Sequence, residues 1–173
     1  MEQVQRNTRR GRVRPAHAVA GGSALVLALG FLAASITVEL FGSHGAVTAV
    51  KRGILLAVPL LAVSAMVAGG SGTWLASKSK AQVITRKALR MRVIGANAVL
   101  VLIPCAVVLD RMATAAEFGT RFGVVQAIEL VFGAVNVTLL GLNMRDGLRM
   151  RARRSRATRR RRFRTSSPVR ISR

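Results

Sequence analysis

The chain has 173 residues, 51% of them apolar and only 4% aromatic, and its 28 lysines and arginines face just 6 aspartates and glutamates. The apolar residues are gathered in four long blocks and not dispersed in short amphipathic runs, which excludes a soluble globular domain and indicates a polytopic membrane protein. The single cysteine, Cys105, excludes a disulfide framework, and no zinc-ligand spacing occurs.

The pattern predicts an all-α fold, an integral membrane four-helix bundle with disordered basic termini. Residues 1–15 form a basic arm without an apolar period, and disorder is expected there. The membrane domain is expected over 16–144. Its first span, 16–40, is longer than the roughly 7 to 15 residues of a cleavable signal core, so it is read as a retained helix. It is rich in small residues, among them Gly21, Gly22, Gly30 and Ala34, which let helices approach closely. A glycine-flanked turn is expected at 41–45.

The second span, 50–76, contains Pro59, which should kink it or loosen its backbone bonding. Gly69, Gly70 and Gly72 weaken its end, and Trp74 falls where an interfacial indole is expected. A basic loop covers 77–92. The third span, 93–109, carries Asn97 and Pro104; its 17 residues reach only about 25 Å, so the helix should begin earlier, with Arg90 and Arg92 snorkelling. Cys105 within it is a packing residue. Residues 110–121 are a connector with a solvated Glu117, and the fourth span covers 122–143. From 145 to 173 runs an Arg-rich tail with 13 arginines, four of them consecutive from Arg159 to Arg162, which is expected to be disordered.

Charge sets the orientation. The arm holds five basic residues, the 77–92 loop six and the tail 13, leaving only Lys51, Arg52, Arg111 and Arg121 for the opposite side. By the positive-inside rule an even number of spans then places both termini in the cytoplasm. The expected location is the inner (plasma) membrane, and the Arg, Ala and Val bias points to a bacterial source.

The fourth span carries the polar residues that lipid tolerates least. Gln126, Glu129, Gly133, Asn136, Leu140 and Asn143 follow at steps of three and four, one narrow helical seam that must face protein or a wet cavity. Antiparallel threading brings Glu39, Lys51 and Arg52 to a depth similar to that of Gln126 and Glu129, forming an outer charge cluster. If Lys51 or Arg52 pairs with Glu129, the cation lies near the interface and can turn to water. An inner polar layer is expected from His17, Ser71 and Asn97 with Asn136 and Asn143, where amides lock helix against helix.

No nucleophile–base arrangement, phosphate loop or metal cluster is legible, and the loops are too short for a catalytic domain, so the chain is read as not an enzyme and without a cofactor. Haem is the weaker alternative: His17 and His44 stand at opposite ends of the first span and cannot share one iron, which leaves only a His–Met pair with Met91 or Met112. The tail suits anionic lipid headgroups, at about 1 kcal/mol per basic residue, and lacks the interleaved aromatics of a nucleic-acid platform. The leading expectation is a non-catalytic scaffold or accessory subunit of a membrane complex, forming homo- or hetero-oligomers with other membrane helices. The alternatives are a proton- or cation-coupled small transporter or channel using Glu129 and, below it, a haem or quinone redox protein.

Overall fold

The computed structural model describes residues 2–76 and 82–165, with side chains placed at 13, 15–72, 85–152, 155 and 156. Five α-helices and one π-helical turn build four spans: α1 (Glu2–Phe41), α2 (His44–Ala76), α3 (Gln82–Asn97) continued by a π turn (Ala98–Leu102) and α4 (Ile103–Thr114), and α5 (Thr120–Thr165). No strand occurs among the described residues. The segments long and apolar enough to cross a membrane are Pro15–Phe41, His44–Gly72, Thr85–Thr114 and Thr120–Ala152. The chain is thus an all-α, multi-pass membrane bundle.

The spans form a closed ring in the order α1, α2, α3–α4, α5. Each helix packs on its two ring neighbours, and the diagonal pairs, α2 with α5 and α1 with α3–α4, have no backbone approach of their own. One end of the bundle carries the two tight turns at 42–43 and 115–119; toward the other run the start of α1 and the end of α5.

The turns are built from local chemistry. Ser43 caps α2, its hydroxyl accepting the Ala46 amide at 3.3 Å and its carbonyl accepting the Val47 amide at 3.0 Å. That cap starts the helix at His44, six residues before the expected boundary at 50, and reduces the turn to two residues. At the end of α4, Glu117 N donates to Met112 O at 2.9 Å and Ala116 N to Ala113 O at 3.2 Å, a Schellman arrangement with Ala116 in the left-handed region at φ 58. The connector is therefore 115–119 and not 110–121, and Asp110 and Arg111 belong to the helix.

Inside this end, Val47, Leu109, Ala113 and Phe122 form a buried cluster flanked by Val38, Met112, Phe118 and Val125. The His44 ring stacks on Phe118 at 4.1 Å, and Phe118 meets Phe122 edge-on at 5.2 Å. The π turn lies just before Pro104, which has no amide hydrogen to give and whose ring would crowd the Leu100 carbonyl in an unbroken α-helix. α2, by contrast, runs as one helix through Pro59.

The two basic termini differ most from expectation. α1 begins at Glu2 and α5 continues to Thr165, 40 and 46 residues long, so the arm and most of the tail are helical where disorder was expected. Elongating an existing helix avoids the nucleation penalty, and arginine is among the better helix formers, which a search for apolar period alone overlooks. At about 1.5 Å per residue, α5 is about 69 Å long, more than twice the roughly 30 Å hydrocarbon thickness. Lys78 and Lys80 of the basic loop, the Trp74 side chain and residues 166–173 lie outside the described residues.

Candidate functional site

Two cations one residue apart on α2 point to different neighbours. Lys51 Nζ lies 2.5 Å from Glu129 Oε2 on α5 and donates to Ser35 Oγ on α1 at 3.2 Å. Its side chain is 1% exposed, that of Glu129 12%. Because α2 and α5 stand on a diagonal of the ring, this pair crosses the middle of the bundle. Arg52, about 100° further round the helix, has its side chain 62% exposed and reaches Asp110 Oδ2 on α4 at 2.9 Å.

The outer charge cluster is therefore two separate pairs. Lys51 does not turn to water, because its position faces the bundle axis one turn below Val47. Glu39 stands exposed and makes no ion pair among the described residues. The inward position above Ser35 is taken by Val38, which packs on the cluster of Val47 and Phe122, and Glu39 is rotated away from it. Asp110 takes the place expected for Glu39. It was missed because it sits at the end of an apolar run, where an interfacial carboxylate looks like loop; it is 4% exposed. Ser35 was also missed, since a lone serine in an Ala-rich helix carries no pattern.

Along the rest of α5, Gln126, Asn136, Leu140 and Asn143 are all buried. Gly133 turns the same way, with room beside it for Leu32 of α1. Asn97 Nδ2 donates to Asn136 Oδ1 at 2.8 Å and to the Phe132 carbonyl at 3.1 Å, and Asn136 Nδ2 donates to the Ile94 carbonyl at 3.4 Å. The amides of Gln126 and Asn143 are buried and have no hydrogen-bond partner among the described residues. Toward the terminal end, Arg90 Nη1 holds Asp146 Oδ2 at 2.7 Å, tying α3 to α5.

His17 and Ser71 meet at 2.9 Å between α1 and α2, and the Ser71 hydroxyl donates to the Val67 carbonyl, so the His17 Nδ1–H is the donor of their contact. Gly72 makes this approach possible: a Cβ there would stand 3.1 Å from His17 Cε1. The inner polar layer is thus two interhelical locks, His17 with Ser71 on one side of the ring and Asn97 with Asn136 on the other. Among the described residues no three His, Cys, Asp or Glu side chains gather closely enough to hold a metal ion.

Below the Lys51–Glu129 pair lies a cavity of about 130 Å³, walled by all four spans. Its lining is almost wholly apolar, with small residues such as Ala62, Ala98, Ala106 and Gly133 leaving the space. Ser35 and Glu129 form its polar end toward the turns, and Asn136 lies on its wall toward the termini. No family model, curated protein or solved structure matches this chain.

Proposed function

We propose that the chain is a non-catalytic integral membrane scaffold, an accessory subunit that presents a braced helical surface to other membrane helices. The observation that carries this reading is the commitment of its buried and half-buried carboxylates to cations on other helices: Glu129 to Lys51, Asp110 to Arg52, Asp146 to Arg90. Groups engaged in this way hold helices in register, which favours a structural role over proton transfer or ligand exchange. Large apolar side chains such as Leu29, Leu56, Leu100 and Val131 are exposed on every span and are open to lipid or to partner helices.

The charge asymmetry of the sequence supports cytoplasmic termini, and its Arg, Ala and Val bias supports a bacterial inner-membrane location. On that side the basic extensions of α1 and α5 would meet anionic headgroups. Purification in mild detergent tests the scaffold reading. A stable, stoichiometric homo- or hetero-oligomer is expected, and a monodisperse monomer with no partner contradicts it.

The rival reading is proton- or cation-coupled transport through Glu129, favoured by the place of that carboxylate on the cavity wall. Lys51 weighs against it, since protonating or occupying Glu129 would strand a buried lysine. Flux into proteoliposomes decides between them: proton or cation flux through the wild-type protein would replace the scaffold reading, and no flux under any gradient removes the rival.

A further inference from the structure

We propose that the central cavity is a binding site for a neutral, apolar molecule about the size of one aromatic ring. The inference is independent of the scaffold reading, since a bundle with or without partners would carry it. A dry cavity of about 150 Å³ lined by aliphatic and aromatic side chains admits benzene, and the present one is close to that size. It is bounded by Phe31 and Leu32 of α1, Val58 and Leu61 of α2, Ile103 of α4 and Leu130 of α5, so no gap between a single helix pair accounts for it.

The chemistry of the walls selects the ligand class. A cation would be drawn to Glu129 only if that carboxylate were free, and it is already neutralised by Lys51 at 2.5 Å. A free anion would have to displace Glu129 from a lysine held on its other side by Ser35 at 3.2 Å. The Asn136 amide is likewise engaged, by Asn97 and by the Ile94 carbonyl. What the walls still offer is dispersion contact with aliphatic side chains, and this favours an uncharged, weakly polar ring. Such molecules partition into bilayers and reach a site of this depth through lipid.

Fluorobenzene is the probe, added to the full-length protein in detergent, with benzylammonium as a cationic ring of similar size. Fluorobenzene should give a saturable rise in melting temperature and a bound fluorine NMR signal at one molecule per chain, displaced by unlabelled benzene. Benzylammonium should give neither. Ala62→Leu, which places three more carbons in the cavity, should abolish the bound signal while the protein stays folded. Should that variant fail to fold, benzene competition on the wild type decides, because partition into detergent is not competitive at one-to-one stoichiometry. Absence of saturable binding, including the case in which a detergent chain fills the space, overturns the proposal. So does binding retained in a folded Ala62→Leu protein, or binding of benzylammonium in place of fluorobenzene.

Discussion

Lys51 on α2 meets Glu129 on α5 at 2.5 Å although the two helices are diagonal in the ring and have no backbone contact of their own. The lysine stem supplies the reach, and Ser35 of α1 accepts a second ammonium hydrogen, so one cation ties three of the four spans together. Removing one member of such a pair leaves the other buried and unpaired.

Glu129→Gln should therefore destabilise the bundle strongly, by about 3–5 kcal/mol, because Lys51 at 1% exposure has no route to water. Lys51→Met alone should be similarly harmful. The double variant Lys51→Met with Glu129→Leu should recover most of the loss, since replacing a whole buried pair by apolar groups is often neutral. Thermal unfolding in detergent measures all three, and a double variant no more stable than either single variant would disprove the direct pairing.

Backbone geometry makes opposite predictions at the two turns. Ala116 occupies the left-handed region, which costs an L-residue roughly 1–2 kcal/mol, so Ala116→Gly should raise stability by about 0.5–1 kcal/mol after the entropy of glycine in the unfolded chain is counted. Gly42→Ala should lower it, because the added Cβ would stand 2.6 Å from the Val38 carbonyl oxygen. Equal melting temperatures for the two variants would contradict this account.

The Asn97–Asn136 lock should be worth little for its appearance. Interhelical hydrogen bonds within membranes average about 0.6 kcal/mol, and Asn136→Ala should lose somewhat more, since it also releases the Asn97 amide and the Ile94 carbonyl. A double-mutant cycle with Asn97→Ala should return a coupling of about 0.5–1 kcal/mol. A coupling near zero would mean that the contact is not formed in detergent.

The basic end of α5 lies beyond every interhelical ion pair described above. Truncation after Ala152 keeps the Arg90–Asp146 pair and all the buried seam, so the melting temperature should hold. Association with anionic vesicles should weaken in a salt-dependent manner. Unchanged vesicle binding at low salt would remove the lipid role of the tail.

Orientation is tested by reporters placed in the turns that the fold defines. A periplasm-active reporter fused after Ser43 or after Glu117 should be active, and one fused after Ser155 inactive. Activity after Ser155 would reverse the assignment of the termini.

The sequence by itself determined the class, the number of spans and the inward seam of α5, because lipid penalises an unpaired polar group wherever it lies and so the pattern is written into each helix separately. Steps of three and four from Gln126 to Asn143 are enough to mark one face of one helix. They do not say what that face meets. Only the tertiary structure decided that Lys51 pairs with Glu129 while Arg52 pairs with Asp110, because 100° of helix rotation separates adjacent residues and the choice depends on the ring order of the spans. The same holds for Glu39, which depth alone placed in the cluster and rotation placed outside it. The cavity was equally out of reach of the sequence: Ala62, Ala98, Ala106 and Gly133 are ordinary small residues until four helices bring them to one level, where the side chains that would fill the space are missing from all sides at once.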